Sequence, residues 1–533
     1  MARFLAPSAL DELVRTTPRF AFIDVRERGE YNASHIPGSS CLPRRLLEAE
    51  LPRLVPCSNV TVVLSDDDGR RAALAAGTAE RMGYEDVAVL DGGLNAWVSD
   101  GFDTQWGLNV ASKEFGERVE VEYDTPTVDA GELRRRIAAG ERVLILDTRT
   151  PEEFHRARIP GGRNVPGGEL AYRITDVLAT EPAPPETVVI NCAGRTRSTI
   201  GVRTLQRMGV DDVVGLRNGT QGWVLAGFDL EHGGERDDLP APGPDGRAAA
   251  ERFAERVAAE DGVVSLDADA LARLLERVET DCTYLIDVRT AEEFAAGRIP
   301  GFRWVPGGQA VQRCDDVVAV RDATIVFCCD GTARSHVTAS WFRQLGFPHV
   351  YAVDGGTAAW EASGRALVTG IVEGEVFGLA QARERVRAVS PTRLRSQLAA
   401  GDAPLVLFVD TSRAFAEGHV PGSRWLSRSR LELAIHQFAP GRRTPIVVTD
   451  RAGDGAVLAA ASLMDLGHVD VAVLDGGVQA WRGAGLPLET GLTGVMTPPD
   501  DVVPVGTERT SAEMVHYLRW EEALGTKYQR GAH

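Results

Sequence analysis

The chain of 533 residues repeats one sequence pattern four times. Each copy contains a strand-like run that ends in Asp, then a Pro-Gly turn, a second apolar run, and a glycine turn followed by Trp. The aspartates that end the first run are Asp24, Asp147, Asp287 and Asp410. These positions lie about one small domain apart. A repeat of this length and order predicts four tandem copies of one folding unit.

The pattern inside each copy predicts the fold class. Short apolar runs alternate with amphipathic helical segments, which is typical of a mostly parallel sheet with helices on both faces. The sequence therefore predicts an α/β protein of four tandem domains, each a mostly parallel sheet flanked by helices. The predicted domains are residues 1–105, 125–232, 262–370 and 388–490, followed by a tail of residues 491–533 with a short helix.

Local signals also predict where several helices begin. Capping boxes start helices at Thr150 and Thr290, because a threonine is followed three residues later by a glutamate. Residues 247–260 have the pattern of a short helix. In the tail, a third capping box at Thr510 begins a predicted helix that runs to Leu524. We expect this tail helix to dock against a domain.

Two copies place a cysteine at the end of the second apolar run, directly before a short loop that opens into a helix. Cys192 is followed by Ala-Gly-Arg-Thr-Arg-Ser and Cys329 by Asp-Gly-Thr-Ala-Arg-Ser. Such a loop points backbone N–H groups into its own hollow, and the helix N-terminus adds positive potential. A cysteine seated there has a lowered pKa and an anion-binding cup around it. Both cysteines also lie at the sheet edge where ligands bind in parallel α/β folds.

The ordered series of D-x-R, [IV]-P-G, strand-Cys-loop-Arg-Ser-helix and a glycine turn before Trp resembles the rhodanese (thiosulfate sulfurtransferase) family, in particular its four-domain type. The resemblance extends to about residue 490. It implies transfer of sulfane sulfur from thiosulfate to cyanide or a thiol through a persulfide on Cys192 or Cys329. It implies no cofactor.

Seven polar residues are predicted to bind the small anionic donor: Arg195, Arg197, Arg334, Ser198, Ser335, Arg158 and Arg298. Ser198 is equally suited to cap the helix that it begins. Arg158 and Arg298 replace His35 and His419 of the outer copies, which suggests an anion contact, although an ordinary surface arginine also fits.

Charge predicts which cysteine is the main sulfur carrier. Two arginines, Arg195 and Arg197, follow Cys192, whereas the loop after Cys329 has one arginine and Asp330. Because each added cation favours the thiolate and a dianionic donor, we predict that Cys192 carries most of the sulfur.

The outer copies carry Asp66 and Asp450 where the inner copies carry cysteine. A carboxylate cannot hold a sulfane sulfur, so these copies are predicted to be catalytically silent. By the resemblance to tandem rhodaneses, a silent copy covers an active one. Copies one and two would then form one half of the protein, and copies three and four the other.

Other residues are interpreted as structural. The four Trp residues recur in active and silent copies alike, and Asp147 with Arg149 fits an ion pair. Cys328 precedes Cys329 on a strand and is interpreted as a core residue. The remaining cysteines and the ten histidines show no metal-ligand spacing.

Several functions remain open beside the thiosulfate enzyme. A mercaptopyruvate-type sulfurtransferase is the enzymatic alternative, and a non-enzymatic sulfur carrier or scaffold is the other. Phosphate hydrolysis is disfavoured, because the six residues from Cys192 to Arg197 are one fewer than in related phosphatase loops.

Composition limits the partners. A formal net charge of -18 argues against nucleic acid, and no apolar run is long enough to cross a membrane. No secretory leader is apparent, which predicts a reducing, cytoplasmic location. The oligomeric state and the physiological sulfur acceptor are not predicted.

Overall fold

The structure is a computed structural model that describes residues 2–17, 19–233, 239–278, 280–370, 374–400 and 403–529. The chain divides into two compact units. One contains Met1–Leu108 and Glu373–Val503, and the other contains Asn109–Val372 and Pro504–His533.

The pairing of copies differs from the expectation. The first and fourth copies form one unit, and the second and third copies form the other, so the predicted pairing of one with two and three with four is wrong. Buried ion pairs join the actual partners: Arg44 contacts Glu432 at 2.6 Å in the first unit, and Arg334 contacts Glu169 at 2.7 Å in the second. Both cysteine-bearing copies therefore lie in one unit.

Within the described residues, each copy forms a five-stranded parallel sheet, and all four sheets have the same strand order. The predicted α/β class and fourfold repeat are confirmed. In spatial order, the first sheet contains Arg3–Leu5, Asp86–Leu90, Thr61–Ser65, Phe20–Asp24 and Ser40–Cys41. The second contains Thr127–Val128, Val213–Leu216, Thr187–Asn191, Val143–Asp147 and Arg163–Asn164. The third contains Val264–Leu266, Val350–Val353, Thr324–Cys328, Thr283–Asp287 and Arg303–Trp304. The fourth contains Arg387–Val389, Val471–Leu474, Ile446–Thr449, Leu405–Phe408 and Arg424–Trp425.

The described helices cover both faces of these sheets. In the first unit they are Pro7–Thr16, Arg28–Ala33, Leu47–Leu54, Arg70–Arg81, Gly93–Ser99, Leu379–Arg385, Pro391–Ala399, Ser412–Glu417, Leu431–Phe438, Asp454–Asp465 and Gly477–Gly483. In the second unit they are Val110–Tyr123, Ala130–Ala138, Pro151–Arg156, Leu170–Ala179, Thr196–Met208, Gly219–Leu225, Pro244–Asp261, Ala268–Leu275, Ala291–Ala296, Gly307–Gln312, Cys314–Val317, Ala333–Gln344, Gly356–Ala362, Ser511–Ala523 and Thr526–Gln529. Short 3-10 turns occur at Arg44–Leu46, Arg428–Arg430 and Gly506–Glu508.

The sequence explains why the central strands are buried on both faces. In the second copy, Leu146 and Ile190 belong to the core on one side of the sheet, while Ile145 and Val189 belong to the core on the other. A continuous apolar, β-branched strand has side chains that pack against the helices on both faces of the sheet. This arrangement carries the polar residues that follow the strands to one edge of the sheet.

The predicted helix starts are confirmed. Capping boxes are present at Thr150, Thr290 and Thr510, and the tail helix spans Ser511–Ala523. The helix predicted at residues 247–260 is longer and spans Pro244–Asp261.

Candidate active site

The Cys192 loop begins where the strand Thr187–Asn191 ends, and it opens into the helix Thr196–Met208. The carbonyl oxygen of Cys192 accepts a 2.9 Å hydrogen bond from the amide of Thr220. Gly219 has a φ of +55°, and a Cβ on it would lie 2.2 Å from that same oxygen. The glycine turn before Trp223 therefore supports the cysteine loop, and only glycine allows the two to approach this closely.

Ser198 lies beside the sulfur. Its Oγ is 3.4 Å from the Sγ of Cys192 and donates a 2.7 Å hydrogen bond to the carbonyl of Arg195. In the third copy, the Oγ of Ser335 is 3.3 Å from the Sγ of Cys329. Each serine thus contacts the thiol. The interpretation of Ser198 as the helix cap is wrong, because Arg195 holds the N-cap position with no side-chain cap hydrogen bond and Ser198 donates to its carbonyl. The predicted role of Ser198 in donor binding stays a prediction. Cys192 is only 2% exposed.

Arg197 provides a positive charge near Cys192. Its guanidinium forms a two-pronged hydrogen bond with Glu153, at 2.6 and 2.9 Å. Burial opposes ionisation of Glu153, but the Arg197 charge and hydrogen bonds outweigh it and lower the pKa of Glu153 to about 2. Burial opposes the charge of Arg197 as well, yet Glu153 and Cys192 raise its pKa. Arg197 therefore stays charged beside the thiol.

Arg195 points instead toward two helices outside the repeat. It contacts Glu117 at 2.6 Å and Glu120 at 2.8 Å on the helix Val110–Tyr123, and Glu522 at 3.1 Å on the tail helix. The side chain is 8% exposed. The structure thus places the Arg195 side chain between the Cys192 loop and these two helices. Its predicted role in donor binding stays a prediction.

The tail helix lies directly over the Cys192 loop, so the expectation that the tail docks against a domain is confirmed. The hydroxyl of Thr196 donates a 2.7 Å hydrogen bond to Glu521. A Cβ built on Gly194 would lie 3.1 Å from Glu521 and 3.4 Å from the ring of Tyr517. Sequence reasoning gave the tail no function, because nothing in its local pattern indicates which loop it covers.

The Cys329 loop is enclosed by the second copy. Arg334, fully buried, contacts Glu169, Glu293 and Asp330, each at 2.7 Å. Burial raises the pKa of Cys329, the Asp330 charge adds to that shift, and Arg334 opposes it, so the lowered pKa expected for a cysteine in this loop is wrong for Cys329. Cys328 is fully buried within the core of the third copy, which confirms its interpretation as a core residue.

Arg158 and Arg298 occupy the same structural place as the outer-copy histidines. Each of the four residues forms an isolated backbone bridge to the segment that follows the last helix of its copy. Arg158 lies over the ring of Phe154, as Arg298 does over the aromatic ring of its own copy, and both donate to a main-chain carbonyl. His35 and His419 stack on aromatic rings in the same way. These contacts favour packing, and the predicted anion contact stays a prediction.

The D-x-R pairs and the Trp residues are structural, as interpreted. Arg149 binds Asp147 through several hydrogen bonds of 2.6–3.0 Å. The indole N–H of each repeated Trp donates to a carbonyl six residues further along.

In the first and fourth copies, an aspartate carboxylate occupies the position at which the inner copies carry the cysteine thiol. Asp66 accepts hydrogen bonds from the amides of Gly69 at 2.5 Å, Arg71 at 2.6 Å and Ala72 at 3.3 Å. Asp450 accepts from the amides of Gly453 and Ala456 in the fourth copy. Burial raises the pKa of Asp66, while these hydrogen bonds favour its ionised form. The loop thus holds an anionic group supplied by the chain itself.

Within the described ranges, no group of three or more His, Cys, Asp or Glu side chains is arranged to hold a metal ion. Over the same part of the chain, no helix combines the length and the apolar character needed to cross a membrane.

Comparisons with known proteins agree with this architecture. A family model described as "Rhodanese-like domain" matches residues 6–100, 129–226, 267–363 and 390–484. The crystal structure of a thiosulfate sulfurtransferase from Pseudomonas aeruginosa is 36% identical, has a TM-score of 0.88, and aligns over 99% of this chain and 98% of that one.

Shorter relatives match single copies. A sulfurtransferase of Allochromatium vinosum is 30% identical over 106 residues, which are 20% of this chain and 95% of that protein. The putative sulfur carrier protein YrkF of Bacillus subtilis is 29% identical over 99 residues, and the match spans 19% of this chain and 51%, about half, of that protein. The matched segments of the family model fall on the four sheets described above, and the chain therefore belongs to the rhodanese-like domain family, whose domain it carries in four copies.

Proposed function

We propose that this protein is a thiosulfate sulfurtransferase that carries sulfane sulfur as a persulfide on Cys192, with Cys329 as a second, weaker carrier. The observation that carries the proposal is the contrast between equivalent loops. In the first copy, three loop amides bind the carboxylate of Asp66. In the second copy, the shorter side chain of Cys192 takes that position. The same loop therefore has room for a thiolate and one added sulfur, held by amide dipoles.

The amides proposed to hold this sulfur are identified by comparison with the equivalent loop of the first copy. The donors to Asp66 lie three, five and six residues after it. At the same offsets from Cys192, the amides belong to Arg195, Arg197 and Ser198. The backbone of Arg195 thus serves the cup, while its side chain anchors the covering helices and acts as a positioning group.

The reaction has two nucleophilic steps. The Cys192 thiolate attacks the outer sulfur of thiosulfate, the S–S bond breaks, and sulfite leaves with the electron pair. Arg197 stabilises the negative charge on the donor and on the leaving sulfite. A thiolate or cyanide then attacks the outer sulfur of the persulfide and releases Cys192 as a thiolate. Donor and acceptor occupy the site in turn.

The charges of the loops favour Cys192 over Cys329 as the main carrier. Asp330 lies in the Cys329 loop, where burial and this carboxylate raise the pKa of Cys329 against the opposing charge of Arg334. A smaller thiolate fraction at neutral pH lowers the reactivity of Cys329.

Thiosulfate to cyanide sulfur transfer in Cys192→Ser, Cys329→Ser and the double variant tests this assignment. We expect Cys192→Ser to lose most of the activity, Cys329→Ser to retain most of it, and the double variant to have none. Undiminished activity in Cys192→Ser would contradict the assignment, and activity in the double variant would contradict the persulfide mechanism.

A further inference from the structure

The mouth of the Cys192 loop contains a carboxylate that the sulfur-transfer steps above do not use. Glu521, on the tail helix, is 1% exposed. Its Oε1 accepts the hydrogen bond from Thr196, and its Oε2 lies 3.1 Å from the Cβ position of Gly194. Glu521 therefore borders the loop that holds the sulfur.

The second oxygen of Glu521 is incompletely satisfied among the described residues. Its Oε2 is buried and accepts no hydrogen bond of good geometry there, although the hydroxyl of Tyr517 also faces this carboxylate. A buried carboxylate oxygen without a donor is costly, and such groups in folded proteins are nearly always satisfied. The amide of Gln221 also borders Gly194, and its Oε1 is likewise buried without a partner within the described ranges. This part of the mouth presents hydrogen-bond acceptors and therefore suits a ligand that donates.

The surrounding charges leave this mouth acidic. The cations near Glu521 are Arg195, Lys113 and Arg509, and the carboxylates are Glu117, Glu120 and Glu522 besides Glu521 itself. Arg195 is already bound by three of the carboxylates. Arg509 lies over the ring of Tyr517, with its guanidinium carbon 3.9 Å from the ring centre. Burial raises the pKa of Glu117 to about 7, so this group is ionised at pH 8.

We propose that the sulfur acceptor at Cys192 is a small thiol that bears a protonated amine, and that Glu521 binds its ammonium group. The inference rests on the proposed function. The acceptor thiolate attacks the outer sulfur of the Cys192 persulfide, the S–S bond breaks, and Cys192 leaves with the electron pair. The acceptor departs as a persulfide, so no separate oxidant or reductant is required. Glu521 acts on the acceptor through charge and hydrogen bonding.

The test compares three thiols of similar size in the Cys329→Ser background at pH 8: cysteamine, 2-mercaptoethanol and 3-mercaptopropionate. Their intrinsic reactivities differ, so the quantity measured is the ratio of kcat/KM for cysteamine to that for 3-mercaptopropionate. We expect Glu521→Gln to lower this ratio about tenfold, as the loss of one charge contact in a partly screened site implies. Glu521→Asp should retain part of the preference. The exposed Arg519→Ala, on the same helix, should leave the ratio unchanged.

The KM for thiosulfate in Glu521→Gln distinguishes the loss of a charge from structural damage to the site. Loss of a negative charge should leave the KM for thiosulfate unchanged or lower it, whereas a damaged site would raise it. An unchanged acceptor ratio in Glu521→Gln, with sulfur still loaded on Cys192, would overturn this inference alone. Failure of the unsubstituted chain to load sulfur on Cys192 would instead overturn the proposed function.

Discussion

Asp66→Ala tests whether the loop amides that bind Asp66 form an anion-binding site, which we call the anion cup, in a copy that has no thiol at this position. The carboxylate of Asp66 accepts hydrogen bonds from three loop amides, two of them at 2.5 and 2.6 Å. The loop leads directly into the helix Arg70–Arg81. Without the carboxylate, buried N–H groups at the start of this helix have no acceptor.

The magnitude follows from these contacts. A hydrogen bond to a charged group contributes about 1.5–3 kcal/mol, and bonds that share one carboxylate are not additive. We therefore expect Asp66→Ala to weaken the local structure by about 3–5 kcal/mol. Since each 1.36 kcal/mol is a factor of ten, the loop amides should exchange with solvent at least about a hundredfold faster.

Hydrogen–deuterium exchange, followed in peptides that cover residues 69–72, measures this opening without requiring the whole chain to unfold in one step. Asp91→Ala is the matched control, because Asp91 is an exposed aspartate of the same copy. In Asp91→Ala, the amides of residues 69–72 should exchange at the same rate as in the unsubstituted chain.

The vacated cup should then bind a free anion. Added sulfate is expected to slow exchange of the loop amides in Asp66→Ala and to have little effect on the unsubstituted chain, where the carboxylate occupies the cup. Unchanged exchange in Asp66→Ala, or no response of that variant to sulfate, would refute the idea that these loops are anion cups.

Two further predictions concern the second copy. The pKa of Glu153 is lowered to about 2, so its contribution of about 2–3 kcal/mol is present above pH 4.5 and is lost as pH falls toward 2. The difference in thermal stability between the unsubstituted chain and Glu153→Gln should therefore be large at pH 6 and vanish near pH 2; a constant difference would contradict the Arg197 pairing. Tyr517→Ala should speed alkylation of Cys192 by iodoacetamide about tenfold or more, with Cys329 unchanged as the internal control, and equal rates at Cys192 would show that the tail does not cover it.

Local sequence signals predicted much of the fold. Strands followed from continuous apolar runs, and helix starts followed from capping boxes at Thr150, Thr290 and Thr510. These features depend on residues a few positions apart, which a single sequence displays directly. The glycine turn before each Trp was also recognisable, although its support of the cysteine loop emerged only from the close approach of Gly219 to Cys192.

The pairing of the copies had no local signal. The wrong pairing was carried over from the resemblance to tandem rhodaneses, in which a silent copy covers an active one. The ion pair of Arg334 with Glu169 joins residues 165 positions apart. Nothing near either residue in the sequence marks the other as its partner.

The position of the Arg195 side chain also depends on residues far away in the sequence. Its offset from Cys192 suggested a place in the cup, but its carboxylate partners lie 75, 78 and 327 residues away. A sequence pattern indicates that an arginine is near a loop, and long-range acidic partners decide where its charge is directed.

The central claim is that a cysteine in an amide cup holds one transferable sulfur. Intact mass measurement after incubation with excess thiosulfate, followed by peptide mapping, tests this most directly. The account predicts the added mass of one sulfur atom mainly on Cys192, with less on Cys329, and its removal by cyanide. A chain that gains no cyanide-removable sulfur on either cysteine would contradict it.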